Sequence, residues 1–237
     1  MTHPELLVEL TDVTKAYHAL RPLRIQHLQL RAGESIALLG MDAAMSEVLV
    51  NLITGAQLPD EGEVRVFGRS TRSIAGVDDW VADLDRFGLI SSRAVLVDRF
   101  TTEQNLALPL SLEIDDMRSE LRAEVQALAV EVGLSTDELV RSTAELTPTA
   151  QLRLRVGRAL ALRPQIILAE HPNALLSGQD TSGFARDFAR IVAGRGLASL
   201  VMTVDATFAR TISPQVLEFH AATGALKKTS APRRWFS

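Results

Sequence analysis

Three short runs, SIALLG (35–40), QIILAE (165–170) and LASLVMTV (197–204), are apolar at consecutive positions rather than at alternate ones. A strand built that way has no face to offer water, so it belongs inside a sheet covered on both sides, as parallel sheets flanked by helices are. The chain that follows SIALLG turns helical in period: Val48, Leu49, Leu52 and Ile53 fall on one face, and Gly55 is the stop. A further strand, QVLEFHA (215–221), precedes a turn at Gly224. The opening segment is different. ELLVELTDV alternates, with Leu6, Val8 and Leu10 on one side, and RIQHLQLRAGE places Ile25, Leu28 and Leu30 ahead of Gly33. Both patterns are those of half-buried strands, and PDEGEVRVFG (59–68) adds a turn and another strand. Residues 99–158 are mostly helical by period, with Leu121, Val125, Leu128 and Val132 on one stripe of 117–132. A second long helix starts near Pro148 and runs to Pro164. The pattern predicts an α/β fold, a mainly parallel sheet core with an N-terminal antiparallel β part and a helical subdomain.

Composition closes off several kinds of chemistry. With 237 residues, 46% of them apolar and 23% charged, the chain needs no staple to hold a core. The absence of cysteine excludes a thiol nucleophile, a disulfide framework and a Cys-ligated zinc. A net charge of −4 gives no basic field for nucleic acid. No apolar run reaches the ~18 residues of a membrane span. The first ten residues hold Glu5 and Glu9 but no Lys or Arg, unlike a secretory signal, so a cytoplasmic protein is expected. His3, His18, His27, His171 and His220 share no metal-ligand spacing, and no GxSxG is present. Arg153, Arg155, Arg158 and Arg163 read as a solvated helix face. The tail LKKTSAPRRWFS puts Lys227, Lys228, Arg233 and Arg234 near no acid. It reads as a solvated terminus, or as a contact with a membrane surface or partner anchored by Trp235 and Phe236.

A buried strand ending at Gly40 and leading into a helix is where α/β proteins bind phosphate, because the helix N-terminus offers free N–H groups and positive charge. The stretch ALLGMDAAMSEVLVNLITGAQLPDEGEVRVFG resembles the phosphate-loop region of ATP-binding cassette (ABC) ATPases, whose loop reads GxxGxGK[ST]. Five more segments resemble that family in order. TKAY ends in Tyr17, at the place of an adenine-stacking aromatic, and FGLISSRAVLVDRFTTEQNLALPL is similar to the glutamine-loop segment. AELTPTAQLRLRVGRALALRP resembles the signature helix, IILAEHPNALLS the second nucleotide motif, and VMTVD the histidine switch. The resemblance implies one ABC-ATPase-like domain over 1–237. Its α/β core would comprise 1–91 and 159–226, its helical subdomain 92–158, and its basic tail 227–237.

Residue by residue, this chain departs from the pattern. Of the loop positions Gly40, Asp42, Ala43, Ala44, Met45, Ser46, Glu47 and Val48, only Gly40 keeps its glycine. Ala43 and Met45 replace glycines whose backbone angles aim N–H groups at phosphates. Ser46 stands for the phosphate lysine and Glu47 for the magnesium hydroxyl. Two carboxylates, Asp42 and Glu47, beside a polyanion put about 1–4 kcal/mol per close charge pair against binding. A plain strand–turn–helix in which Asp42 or Ser46 caps the helix explains the same residues. The signature-loop positions are Thr147, Pro148, Thr149 and Ala150, and Pro148 has no N–H to donate. An N-cap threonine followed by Pro explains them without a ligand. Glu170 takes the place of the magnesium-associated Asp, His171 of the general base, Ser92 of the loop glutamine, Ser177 of the dimer-loop Asp and Val204 of the switch histidine.

Phosphoryl transfer depends on positioning and electrostatic stabilisation, and the substitutions remove the parts that supply them. The resemblance therefore implies a pseudo-ATPase subunit, with no catalytic residue expected at Glu170, His171 or Val204. No metal is expected either, Glu170 and Glu47 being the ligands if magnesium binds. ATP and Mg are at most weakly held. As partners it implies a homodimer or heterodimer with another ABC ATPase subunit, and a transmembrane permease subunit docked near residues 90–110, at the inner face of the cell membrane. Two alternatives stand beside this. One is a slow MgATP hydrolase using Glu170 and His171. The other is a nucleotide-independent interaction module in which Met41, Met45 and Val48 make contacts.

Overall fold

The structure is a computed structural model that describes residues 4–74 and 76–229. The expectations for His3 and for Arg233, Arg234, Trp235 and Phe236 lie outside the described residues. Strands β1 (Leu6–Lys15), β2 (Leu23–Arg31), β4 (Glu61–Val66) and β5 (Arg69–Ser70) form an antiparallel sheet in the order β2-β1-β4-β5. Strands β3 (Ser35–Leu39), β6 (Phe87–Ile90), β7 (Ile166–Glu170), β8 (Ala198–Thr203), β9 (Gln215–His220) and β10 (Ala225–Lys228) form a second sheet, ordered β10-β9-β3-β8-β7-β6. In it β6, β7, β8, β3 and β9 are parallel, and β10 returns antiparallel to β9. Lys227 and Lys228 pair through their backbone within β10, and their side chains are exposed, as a solvated segment requires.

The unbroken apolar runs are explained by what each strand residue meets. Ile36, Leu38, Ile166, Leu168, Leu200 and Met202 enter one cluster, with helix α1 (Ala43–Ile53) and the antiparallel sheet. Their neighbours Ala37, Ile167, Ala169 and Val201 enter the other. That second cluster is covered by helices α3 (Thr102–Ala107), α4 (Ser119–Val132), α6 (Pro148–Ala161), α7 (Gly178–Gly194) and α8 (Ala206–Ile212). Alternate side chains point to opposite faces and each face has its own cover, so both must be apolar. Helices α2 (Val77–Leu84) and α5 (Thr136–Leu139) complete the set among the described residues. The stripe on α4 packs inward through Val125, Leu128 and Val132, with Leu121 partly buried beside it. Helix α6 runs straight through residue 158, where the sequence reading ends the helical block, and its side chains share one cluster with β7 and β8.

Candidate functional site

The carboxyl ends of β3, β8 and β7 lie side by side, the position at which open α/β sheets place their ligands. Between β3 and α1 only Gly40, Met41 and Asp42 intervene, so Ala43, Ala44, Met45, Ser46, Glu47 and Val48 are helix rather than loop. Gly40 sits at φ +97°, a backbone angle that disfavours a side chain, and its N–H donates to Thr203 O. The Asp42 carboxylate accepts the Met45 N–H at 2.8 Å, capping the helix with the chain's own anion. Met41 and Val48 are buried in the core and Met45 packs against it, which corrects their assignment as contact residues. Tyr17 also packs, half-buried, against that cluster; burial first and Asp42 second raise its hydroxyl pKa.

Ser46 is 0% exposed. Its hydroxyl donates to Asp42 O at 2.7 Å and lies 3.1 Å from His171 Nε2. A hydroxyl has one proton, so with that proton on Asp42 O the ring must donate through Nε2–H. His171 itself sits at φ +44°, an uncommon angle for a side-chain-bearing residue, and its N–H donates to Met202 O.

Strand pairing decides the fate of Glu170. Ile90 pairs with Ala169, which carries Ser91 to Glu170, and the Ser91 hydroxyl donates to Glu170 Oε2 at 3.0 Å. Arg93 follows, and its guanidinium donates to Glu47 Oε1 at 3.0 Å and to Glu170 Oε1. One fixed positive charge therefore joins the two carboxylates singled out as magnesium ligands. Neither Arg93 nor Ser91 carries a motif signal, and only β6–β7 pairing reveals them. Among the described residues no cluster of three or more His, Asp or Glu could hold a metal ion.

Several of the remaining predicted positions sit at helix N-termini. Thr147 caps α6, accepting the Ala150 N–H at 3.2 Å, with Pro148 at the first turn. Thr149 is helical and half-buried behind it. Ser177 begins α7, its hydroxyl donating to Asp180 at 2.6 Å. Asp205 caps α8, accepting the Thr207 and Phe208 N–H groups at 2.8 and 2.9 Å. Val204 beside it is exposed. Asp42, Ala43, Ser92, Pro148, Glu170 and Val204 line one cleft of about 430 Å³. The arginines of α6 are not a solvated face: Arg153 bonds Gly133 O and Asp187, and burial lowers the pKa of both Arg155 and Arg158. Arg163 alone of the four is strongly exposed.

The family model described as ABC transporter matches residues 23–174. Among curated proteins, the methionine import ATP-binding protein MetN 2 of Pseudomonas aeruginosa is 29% identical over 217 residues, 89% of this chain and 63% of that one. The Fe(3+) ions import ATP-binding protein FbpC of Serratia marcescens is 26% identical over 227 residues, 95% of this chain and 63% of its own. The macrolide export ATP-binding/permease protein MacB of Salmonella typhi is 28% identical over 223 residues, 90% of this chain but 33% of its own. The chain thus spans less than two thirds of these relatives. The dimeric structure of MJ0796, a bacterial ABC transporter cassette, superposes with a TM-score of 0.78 at 21% identity, covering 95% of this chain and all of the other. A post-hydrolysis dimer of that cassette bound to ADP and Pi gives 0.77 at 22%. The order of strands, the cassette fold and a family match across most of the chain agree, and the chain belongs to the ABC transporter family.

Proposed function

We propose that this chain is a nucleotide-binding-domain-like subunit of an ABC transport system that works without turning over ATP, as a structural or regulatory partner in a membrane complex. The observation that carries the reading is the Arg93 guanidinium bound to both Glu47 and Glu170. A magnesium ion entering there would meet a positive charge already paired with its ligands. Asp42 supports the same reading, because its carboxylate occupies a helix N–H that a phosphate would need. So does Ser46, which stands at the place of the phosphate lysine and brings no positive charge. The residues present do not fit a magnesium nucleotide: Arg93 holds both candidate metal carboxylates and Ser46 replaces the phosphate lysine.

The relatives' names favour a second reading, a slow ATPase, because they are called ATP-binding proteins. Calorimetric titration with ATP, with and without Mg²⁺, separates the two. The expected result is no heat at millimolar nucleotide. A Kd tighter than about 100 μM, or ~5.5 kcal/mol of binding free energy, would overturn the proposal.

Dimerisation and docking belong to the same reading. The MJ0796 cassette is dimeric, and MacB joins an ATP-binding part to a permease in its name. A groove of about 190 Å³ bordered by Leu89, Leu96, Pro109, Arg158 and Leu162 supports a membrane-spanning subunit docking near residues 90–110. No described helix is long and apolar enough to cross a membrane, so attachment would be peripheral, on the inner face.

A further inference from the structure

The cleft that the altered nucleotide positions line has a chemistry of its own. It occupies about 430 Å³, within the range of roughly 300–1,000 Å³ usual for small-molecule sites. Ile90, Leu152, Leu175, Leu176 and Val204 make its lining mainly apolar. Leu175 is 70% exposed and Val204 66%, so apolar surface also stands at its mouth. The two acids at one end are already engaged, Glu170 by Arg93 and Ser91, and Asp42 by the helix it caps.

The Nε of Arg155 is buried and has no hydrogen-bond partner among the described residues. Arg155, on α6, lines both this cleft and the groove of about 190 Å³. Burial lowers its pKa, and no carboxylate among the described residues offsets it. The neighbouring Arg158 is half-buried too and satisfies one N–H on Val95 O at 2.8 Å. A partly desolvated cation without an anion is costly, and an arriving anion recovers the lost solvation.

We propose that this cleft binds an amphipathic monoanion, a small molecule whose apolar body lies on Leu175, Leu176 and Val204 and whose single carboxylate pairs with the Arg155 guanidinium. Neither partner alone suffices: a polyanion would meet Asp42 and Glu170, and a neutral apolar body would leave Arg155 unpaired. The inference goes beyond the function proposed above and rests on it in one respect, that nucleotide does not fill the Asp42–Glu170 end.

The test is calorimetry of the full chain with decanoate and with decanol. Decanoate is expected to bind at one site at least about tenfold more tightly than decanol. Arg155→Met removes the charge but keeps the apolar stem, so it should fold at least as stably as the parent. It is expected to weaken decanoate at least about tenfold and leave decanol within about twofold. Leu175→Asp, at an exposed position, is expected to weaken both. Absence of decanoate binding to the parent, or an Arg155→Met affinity equal to the parent's, would overturn the proposal. Millimolar ATP is expected not to displace decanoate. Displacement would sink the nucleotide-independent reading, while an effect of Arg155→Met on decanoate in the absence of ATP would still support the cleft assignment.

Discussion

A guanidinium held between Glu47 and Glu170 neutralises a pair of carboxylates that would otherwise repel across a partly buried gap, Glu170 being only 10% exposed at its side chain. Removing it restores the repulsion and opens a place for a divalent cation. Arg93→Ala is therefore expected to melt at a lower temperature than the parent, and millimolar MgCl₂ is expected to raise the melting temperature of the variant but not of the parent. Thermal melts of both proteins with and without MgCl₂ check this, and equal stabilisation of the parent would show that Arg93 does not hold the site. Asp42→Ala removes the α1 cap at Met45 N and should cost about 1 kcal/mol in urea unfolding. The cap was legible in the sequence because capping is local. The partly buried Ser46–His171 contact was not, since its two residues are 125 positions apart.

Between elements, two close approaches set the geometry. Gly88 on β6 lies against α6: an added Cβ would stand 2.5 Å from Ala159 O and 2.5 Å from Ile167 Cδ1. Backbone cannot retreat as a side-chain tip can. Gly88→Ala should cost about 1–3 kcal/mol, read by chemical denaturation, and loosen the strand that carries Ser91 and Arg93. At the other sheet, Asp60 joins the turn before β4 to the end of β1, accepting Lys15 Nζ at 2.8 Å and the Ala16 N–H at 2.7 Å. The Lys15 hydrogen bond first, then that of Ala16, holds the Asp60 pKa below the ordinary carboxylate value. A folded pKa below the unfolded one gives stability that is fully present above the unfolded value and lost as pH falls through the folded one. Asp60→Asn is expected to flatten the fall of stability through the acid range. A parallel pH series of urea melts for the two proteins measures that slope. The α6 arginines show what periodicity misses: it recognises a charged face but not the loops and helices that cover it, which is why Arg155 and Arg158 were assigned to solvent.

Over the whole molecule, one apolar cluster runs from the helical block into the parallel sheet, with Phe184, Phe188 and Phe208 at its centre. The Phe184 and Phe188 rings are 5.9 Å apart and those of Phe184 and Phe208 6.4 Å. Phe188→Ala should cost about 3–5 kcal/mol. Because sheet and helical block share this cluster, far- and near-ultraviolet circular dichroism should lose signal in one coincident transition. Two separated transitions would mean that the helical block melts alone. By itself the sequence did not determine β6, α2 or β10, but it did determine the buried strands β3, β7 and β8, the half-buried strands of the opening sheet, helices α1, α4 and α6 and the caps at Asp42 and Thr147. Those depend on apolar period and on side chains within a few residues of the backbone they serve. Tertiary structure alone decided the electrostatics of the altered site. The contacts of Arg93 with Glu47 and Glu170 span 46 and 77 residues, and no local pattern encodes a pairing made by the register of β6 on β7. The lack of a partner for the Arg155 Nε among the described residues was decided the same way, because whether a polar group finds a partner depends on which distant segments pack over it.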